Sequence, residues 1–294
     1  MASLIEKINQ GKVLVSDGAW GTFLHQSGLQ PGECPELWNV TNPDAVFKIA
    51  KSYVDAGADM ILTNTFGGSP SKLKHYGLDD RTYELNKVGA EISRKAAGDD
   101  KLVLGSIGPT GVILMMGEVS EEELFEGFKI QAKGLADGGV DAIVVETMSA
   151  IDEAVLAIKA AKEVCDLEVL CTFTFEKTVD GKYKTMMGIT PTQMLEAVKE
   201  AGASIIGANC GNGFENMIDI VKEFRNVDKL TPVLIHANAG KPILEEGKTV
   251  FPETPEIMVS RVDELISCGA NIIGGCCGTT PAHISALSKK VKNN

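Results

Sequence analysis

GGCCGTTPAHI, residues 274–284, follows the apolar pair Ile272-Ile273. An apolar run, a glycine-rich turn and a Thr-Thr-Pro sequence are typical of a strand that turns into a helix, because threonine caps helix N-termini and proline suits their first turn. The stretch therefore predicts a strand that ends near Cys276 and a helix that Thr279 or Thr280 caps. Two adjacent cysteines lie at the junction between these elements.

The same arrangement recurs along the chain. A short run rich in β-branched residues ends in Gly, Asn, Thr or Cys, and an amphipathic helix and a small turn follow it. Strands this apolar are typical of parallel sheets, whose two faces are both buried. The eight runs are residues 12–17, 60–66, 102–108, 142–147, 169–175, 205–210, 233–237 and 272–276.

Four similar turns precede alternate runs, at residues 56–59, 138–141, 201–204 and 268–271. Each contains a glycine suited to the C-cap of a helix. We find no linker rich in proline or serine. Eight βα units in one chain therefore predict a single-domain (β/α)8 TIM barrel over residues 1–294. A doubly wound open sheet is the alternative, but it usually has fewer strands, and no G-x-G-x-x-G follows the first strand.

Composition limits the classes of function. The chain contains 44% hydrophobic residues, yet no apolar run is long enough to span a bilayer, and the N-terminus lacks the form of a signal peptide. Seven cysteines, an odd number without an export signal, indicate reduced thiols in a cytoplasm. The net charge of −12 argues against a nucleic acid or an anionic membrane as the partner.

Three cysteines are predicted to form a zinc site. Cys210 ends the sixth predicted strand, and Cys276 and Cys277 end the eighth, so their thiols can meet at the mouth of the barrel. Three thiolates leave the fourth position of a tetrahedral zinc ion open. Asn238, after the seventh strand, or water can fill that position. The alternatives are three unrelated buried thiols and an Asn238 that bonds its own backbone in a turn.

The predicted rim also carries groups that suit an amino acid. Asp17 and Glu146 can bind an ammonium group, while the backbone amides of Gly18 and Ala19 and the hydroxyl of Thr65 can bind a carboxylate. Alternatively, Asp17 forms a turn and Glu146 is an acid in the first turn of a helix. Zinc with three thiolates is a poor source of hydroxide but lowers the pKa of a bound thiol. The constellation therefore predicts a pocket for an amino acid that carries a thiol.

The motifs at these strand ends resemble those of the homocysteine S-methyltransferases over nearly the whole chain. The likeness is strongest to the homocysteine-binding module of cobalamin-dependent methionine synthases, through GPTG and through NAGKP with GKTV after it. The shared motifs are DGAxGT at 17–22, LTNTFG at 62–67, GPTG at 108–111, ET at 146–147, NC at 209–210, NAGKP at 238–242, GKTV at 247–250 and GGCCGT at 274–279.

The resemblance implies a site and a reaction. Zinc would be held by the three cysteines, and Asp17 and Glu146 would contact the amino group of L-homocysteine, which would be bound as a zinc thiolate and methylated to methionine. The chain has no D-x-H-x-x-G corrinoid motif. We therefore expect methylcobalamin to be the donor only on a separate corrinoid protein or on cobalamin and folate domains of a longer chain. Ala150 stands where many relatives carry Asp, which we expect to affect helix capping more than catalysis.

Other functions stay open on the sequence alone. The chain could be the methyltransferase component of a corrinoid-dependent demethylation system with another donor or acceptor. It could instead use S-methylmethionine or betaine as the donor to homocysteine, or bind zinc or thiols without catalysis. The least specific alternative is a reduced barrel enzyme whose cysteines are incidental.

Overall fold

Eight parallel strands form one sheet that closes into a barrel in the computed structural model, which describes residues 4–245 and 248–293. The order of the strands around the sheet is β2-β3-β4-β5-β6-β7-β8-β1, so chain neighbours are also spatial neighbours. This confirms the predicted single-domain (β/α)8 barrel. The strands are β1 (Leu14–Val15), β2 (Met60–Leu62), β3 (Leu102–Ile107), β4 (Ala142–Met148), β5 (Glu168–Phe173), β6 (Ile205–Asn209), β7 (Val233–Ala237) and β8 (Ile272–Gly275).

Helices cover the outside of the barrel, and two short hairpins project from it. The hairpins pair Glu176–Lys177 with Tyr183–Lys184 and Ile243–Glu245 with Lys248–Val250. Among the described residues, no helix is long and apolar enough to cross a membrane. The α-helices are Leu4–Asn9, Gly21–Gln26, Trp38–Thr41, Pro43–Asp55, Pro70–Leu73, Thr82–Ala97, Glu121–Asp137, Ile151–Val164, Pro191–Ala201, Phe214–Val227, Pro255–Val259, Val262–Ser267 and Pro281–Lys292, and the 3-10 helices are Pro35–Leu37, Lys74–Tyr76, Asp79–Arg81 and Leu114–Met116.

The predicted strands occur where expected, but several are shorter at their C-terminal ends. The run at 60–66 leaves the sheet after Leu62, because Thr63 begins a turn in which its carbonyl accepts the N–H of Thr65 (3.0 Å). Cys210 and Cys276 each lie one residue beyond their strands. Gly247, within the GKTV motif, lies outside the described residues.

The four similar turns join the strands in pairs at the N-terminal end of the barrel. A glycine in each turn has positive φ, as expected for a helix C-cap. The last residue of each turn donates its backbone N–H to the strand before it: Asp59 to Val15 (2.7 Å), Asp141 to Val103 (2.8 Å), Ser204 to Val169 (2.9 Å) and Asn271 to Val233 (2.9 Å). The repeated turn sequence therefore has a repeated structural role.

The seam between β1 and β2 is held by carboxylates rather than by a regular ladder. Asp59 Oδ2 accepts the backbone N–H of Val15 (3.0 Å) at the lower end of the seam. Asp17 Oδ2 accepts the backbone N–H of Leu62 (2.8 Å) at the upper end. Both aspartates thus satisfy backbone donors that would otherwise be unpaired between the two strands.

The barrel interior changes from apolar to polar towards the C-terminal ends of its strands. Its lower part is filled by one cluster of buried apolar side chains, which includes Leu104, Val144 and Leu234. Two residues further along each of these three strands, side chains on the same face are Ser106, Glu146 and His236. The polar groups that face the mouth of the barrel therefore rest on a packed apolar base.

Candidate active site and metal centre

Three cysteine sulfurs converge at the mouth of the barrel, as predicted. The Sγ atoms of Cys210, Cys276 and Cys277 lie within 4.8 Å of one another, and those of Cys210 and Cys277 are 3.9 Å apart. Sulfurs on a tetrahedral zinc ion, with Zn–S bonds of about 2.3 Å, are about 3.8 Å apart. The donor set and its spacing therefore fit zinc. No other described group of three His, Cys, Asp or Glu side chains meets the same distance condition.

Backbone contacts hold the cysteines in place. The N–H of Cys210 donates to the carbonyl of His236 (2.9 Å), and the N–H of Cys276 donates to that of Ala237 (2.7 Å), so both are anchored on β7. The predicted helix follows: Thr280 is the N-cap of Pro281–Lys292, and Pro281 is in its first turn. The site thus forms where β6 and β8 end on either side of β7.

Glycine is required on both sides of the cysteine pair. A Cβ atom on Gly275 would lie 2.3 Å from Thr279 Oγ1, and one on Gly278 would lie 2.2 Å from the ring of Phe251. Thr279 itself donates its hydroxyl to the carbonyl of Cys276 (2.7 Å) and accepts the N–H of Ala19 (3.1 Å). Close packing of this turn against its neighbours therefore explains the glycines that the sequence places there.

The three thiols influence each other's ionisation strongly. Hydrogen bonds from Cys276 and Cys277, with smaller contributions from Gly211 and Asn238, lower the pKa of Cys210 far below that of a free thiol. The same contacts, with burial, raise the pKa of Cys276. One sulfur thus takes the negative charge at the expense of the other two, and a divalent cation would offset the repulsion among three thiolates.

Asn238 is buried beside the sulfurs, with 2% of its surface exposed. Its side chain hydrogen-bonds Cys210, whereas its Oδ1 atom has no partner among the described residues. An unpaired buried amide oxygen is costly and uncommon. The position suits the fourth zinc ligand, and that role stays a prediction.

A cavity of about 280 Å³ opens beside the three sulfurs. Glu146, one of the predicted substrate contacts, lines it and is 7% exposed. Its Oε1 atom accepts the hydroxyl of Ser106. Burial, followed by the charges of Asp17 and Cys210, raises the pKa of Glu146 to about 7. A carboxyl group that is half ionised near neutral pH therefore faces the space next to the sulfurs.

Asp17 lies behind the wall of this cavity rather than on its surface. It is fully buried, and its Oδ2 atom accepts hydrogen bonds from the N–H of Leu62 (2.8 Å) and from Trp20 Nε1 (2.9 Å). Burial raises its pKa to about 7, although these hydrogen bonds act in the opposite direction. The structure gives Asp17 a role in closing the barrel, and its contact with an amino group stays a prediction.

The residues predicted to bind a carboxylate are only partly brought to the cavity. Gly18 and Ala19 line it, but the N–H of Ala19 already donates to a threonine hydroxyl. Thr65 is fully buried, and its hydroxyl bonds the carbonyl of Ser106 (2.7 Å) and the hydroxyl of Thr63. Thr63, not Thr65, reaches the cavity surface.

Sequence reasoning missed several buried polar residues of the cavity, among them Ser106, which bonds Glu146, and the ionisable Glu36 and His236. Glu36 is 3% exposed and accepts the N–H of Gly67 (2.6 Å) through Oε1. His236 is 2% exposed, and its Nε2 atom has no hydrogen-bond partner among the described residues. Burial lowers the pKa of His236 to about 4. The strand alternation from Leu234 could have placed His236 inside the barrel, whereas no pattern places Glu36, which lies in the short 3-10 helix Pro35–Leu37 between β1 and β2.

The remaining four cysteines lie away from this site. Cys171 is within β5, Cys165 and Cys268 follow directly after helices, and Cys34 precedes a 3-10 helix. None belongs to the cluster of three sulfurs.

The site and the fold can now be set beside known proteins. Residues 14–291 match the sequence model of the family described as homocysteine S-methyltransferase. The chain belongs to the homocysteine S-methyltransferase family. The resemblance to this family that the sequence motifs indicated is thereby confirmed.

Two curated relatives of the chain are named methionine synthase. The chain is 31% identical to the protein from Mycobacterium tuberculosis over 304 residues, with 99% of this chain and 25% of the relative covered. It is also 31% identical to that from Mycobacterium leprae, with 98% and 25% covered. The chain thus spans about a quarter of the length of these relatives.

A solved structure shares the fold of this homocysteine S-methyltransferase family member. The metallated form of the homocysteine methyltransferase MmuM from Escherichia coli has a TM-score of 0.79 with this chain. The two are 22% identical, and 97% of this chain and 98% of that chain are covered. The comparison supports the (β/α)8 barrel over its full extent.

The visible departure from the motifs of the homocysteine S-methyltransferases affects a helix cap. Ala150 is the N-cap of Ile151–Val164, and no side chain caps this helix from that position. Asp152, in the first turn, accepts the N–H of Glu153 (2.8 Å) instead. The helix thus lacks a side-chain cap at Ala150, and a larger effect on capping than on catalysis stays a prediction.

A second cavity of about 410 Å³ adjoins the first at Thr147 and Cys210. Both residues contribute to the two cavities and form the ridge between them. Met115 and Met186 line the second cavity, and each has 86% of its surface exposed. Cys210 is therefore accessible from both cavities.

Proposed function

We propose that the protein methylates L-homocysteine to methionine at a zinc ion held by Cys210, Cys276 and Cys277. The methyl donor is methylcobalamin, carried by a separate corrinoid protein or by further domains. The observation that carries the proposal is the convergence of three sulfurs beside a cavity that contains Glu146. A thiol-binding centre and an ammonium-binding carboxylate in one cavity match the two ends of homocysteine.

The zinc chemistry follows from the donor set. Zinc with three thiolates supplies a Lewis acid that lowers the pKa of a fourth, substrate thiol while leaving its sulfur electron-rich. The protein holds the three ligands in place through the bonds of Cys210 and Cys276 to β7 and the bond between the carbonyl of Cys277 and the N–H of Ala239. Asn238 supports the proposal as an exchangeable fourth ligand, because its buried Oδ1 atom has no hydrogen-bond partner in the described part of the chain.

The cavity supports an amino acid as the substrate. Ser106 occupies one lone pair of Glu146 Oε1. The other carboxylate oxygen and the remaining lone pair of Oε1 can accept hydrogen bonds from an ammonium group. The positive charge of the ammonium group would in turn favour the ionised form of Glu146. Because the pKa of Glu146 is about 7, this carboxyl group can ionise near neutral pH. Asp17, behind the wall, would add negative charge rather than a direct contact.

The donor is proposed from the open side of the site. The second cavity borders Cys210, and the exposed Met115 and Met186 at its edge leave space for a donor larger than the substrate. The curated relatives named methionine synthase are about four times as long as the matched region, so in them other domains accompany this one. Seven free cysteines support a reducing cytoplasm as the location.

Donor screening tests this proposal. Zinc-loaded protein is incubated with L-homocysteine and one methyl donor at a time: methylcobalamin, S-methylmethionine, betaine or S-adenosylmethionine. The methionine formed is measured by mass spectrometry. Methionine from methylcobalamin alone is the expected result, and Cys210→Ser should abolish it. Cys165→Ser, a change at a half-buried cysteine outside the cluster, is the matched control. Turnover with another donor would contradict the assignment of methylcobalamin, and absence of zinc would contradict the metal centre.

A further inference from the structure

We propose that Asn209 fixes the spacing between the ammonium site and the sulfur site, and so selects the length of the carbon chain between these two groups of the substrate. The inference rests on the proposed function, because it takes Glu146 as the ammonium site and Cys210 as a ligand of the sulfur site. Asn209 is fully buried at the end of β6, directly before Cys210. It lines neither cavity, so its role is positioning.

The side chain of Asn209 joins three strands. Its Oδ1 atom accepts the backbone N–H of Thr147 on β4 (2.8 Å) and the hydroxyl of Thr172 on β5 (2.7 Å). Its Nδ2 atom donates to Thr147 Oγ1 (2.7 Å). An amide supplies both an acceptor and a donor in one plane, which is what these partners require. The end of β6, which carries Cys210, is therefore tied to the end of β4, which carries Glu146.

The backbone at both ends of this connection is strained. Thr147 and Cys210 each have a φ of 61°, and among the described residues they are the non-glycine residues with positive φ. A β-branched residue such as threonine adopts this conformation only when its surroundings hold it there. The pairing of β4 with β5 also shifts register between Val145 and Met148, around Glu146 and Thr147. The two hydrogen bonds from Asn209 to Thr147 provide the restraint.

This restraint bears directly on the direction of Glu146. Because Thr147 is its chain neighbour, relaxation of Thr147 to negative φ would turn the carboxylate relative to the sulfurs. L-homocysteine has one more methylene than L-cysteine between its ammonium-bearing carbon and its sulfur. A fixed spacing between Glu146 and the cysteine cluster accepts one of these lengths and disfavours the other.

The test measures binding rather than turnover. Zinc-loaded full-length protein is titrated calorimetrically with L-homocysteine, with L-cysteine and with 4-mercaptobutyrate, which lacks the amino group. We expect Asn209→Ala to lower the preference for homocysteine over each of the other two thiols by about tenfold, the scale of discrimination that one methylene supports. Zinc content should stay at the wild-type value, because the three sulfurs remain.

A second variant separates positioning from general loss of stability. Glycine adopts positive φ without strain. In the double variant Thr147→Gly with Asn209→Ala, residue 147 therefore has no strain to relieve by turning Glu146. The preference for homocysteine over the other two thiols should return. Asn86→Ala is the matched control. Asn86 is another fully buried asparagine, which bonds the carbonyls of Gly68 and Thr82 away from both cavities. This control should lower stability and leave both preferences unchanged.

The outcomes distinguish the inference from the proposed function. If the wild-type protein prefers homocysteine and Asn209→Ala keeps both preferences within about twofold, the positioning role is overturned and the proposed function stands. If the wild-type protein binds none of the three thiols, the proposed function fails and the inference fails with it. The role of Asn209 is established if Asn209→Ala loses both preferences and the double variant with Thr147→Gly regains them.

Discussion

Glu146 is the residue whose protonation controls recognition of an amino acid in the proposed site. Burial raises its pKa from the usual 4.5 to about 7, and its ionised form attracts an ammonium group. We expect the preference for L-homocysteine over 4-mercaptobutyrate to rise about tenfold per pH unit below pH 7 and to level off above it. Calorimetric titration of both thiols across this range measures the preference directly.

Glu146→Gln is the control for this pH dependence. The variant should show a small preference that does not change with pH. The pKa is raised in the folded state, so the stability of the wild-type protein relative to the variant is greatest below about pH 4.5 and falls as the pH rises through about 7. If the variant kept the wild-type pH profile of the preference, Asp17, whose pKa is also raised to about 7, would be the controlling group.

Individual site residues were predictable to different degrees. The three cysteines could be found because each follows a strand directly, and strand ends meet at the mouth of a barrel. Thr65 was expected at the substrate, but the strand ends at Leu62, and in the turn that follows the Thr65 hydroxyl bonds the carbonyl of Ser106 and the hydroxyl of Thr63. The restraint of Thr147 by Asn209 could not be predicted, since it depends on a register shift in β4.

At the scale of elements, the contact between β6 and β7 determines where Cys210 lies. A Cβ atom on Gly207 of β6 would be 1.9 Å from the carbonyl oxygen of Leu234 on β7, so the strands would have to separate. Gly105→Ala is the milder comparison, because its Cβ would meet only the side chain of Leu135 at 3.1 Å or more. We expect Gly105→Ala to cost about 1–3 kcal/mol and Gly207→Ala to cost clearly more.

Chemical denaturation and zinc content measure this difference. Gly207→Ala should also lower the amount of zinc bound, since Cys210 follows β6 and bonds β7. Gly105→Ala should retain zinc. Equal losses of stability for the two variants would contradict the close contact between the strands.

Strand positions were accessible from the sequence because buried parallel strands are continuous apolar runs. The C-terminal ends were less accessible. Polar residues such as Thr63 and Asn64 continue the pattern in the sequence, yet the strand ends before them. Thr63 Oγ1 accepts the N–H of Ser106 on β3 (3.0 Å), and Asn64 donates to the carbonyl of Pro35 (2.8 Å). Helix signals were more reliable: Thr280 caps the last helix, and His283 completes its capping box.

At the scale of the whole molecule, the barrel is stabilised by the turns at its lower end. Asp59 holds the seam between β1 and β2 by accepting the N–H of the fully buried Val15. Asp59→Ala leaves this donor unpaired and should lower the free energy of unfolding by about 1–3 kcal/mol. Ser204→Ala removes only a 3.2 Å hydroxyl bond to a carbonyl that keeps its backbone partner, so a smaller loss, about 0.5–1.5 kcal/mol, is expected.

Asp59→Asn tests whether the hydrogen bond or the charge matters at the seam. Asparagine can still accept the N–H of Val15, so most of the stability should remain. All three variants should bind thiols as the wild-type protein does, because these turns lie at the end of the barrel opposite the site. Thermal or chemical unfolding, with homocysteine titration alongside, provides both measurements. A large loss in Asp59→Asn would assign the effect to charge instead.

The architecture was predictable as a whole because one pattern repeats eight times and one turn repeats four times. The sequence indicated the repeated turn only as the end of a helix. In the structure, the last residue of each turn also bonds the preceding strand and so joins a pair of strands. The interior of the mouth was harder to predict. Which polar groups face the cavity depends on the tilt and register of neighbouring strands, and Glu36 reaches it from a single-turn 3-10 helix outside the repeated βα pattern.

The most direct test of the account is zinc-edge X-ray absorption on zinc-loaded protein before and after addition of L-homocysteine. The account predicts three sulfur ligands and one nitrogen or oxygen ligand in the free protein, and four sulfur ligands with release of a proton once the substrate is bound. Zinc that keeps three sulfur ligands in the presence of homocysteine would show that homocysteine is the wrong acceptor. Protein that binds no zinc at Cys210, Cys276 and Cys277 would contradict the central claim.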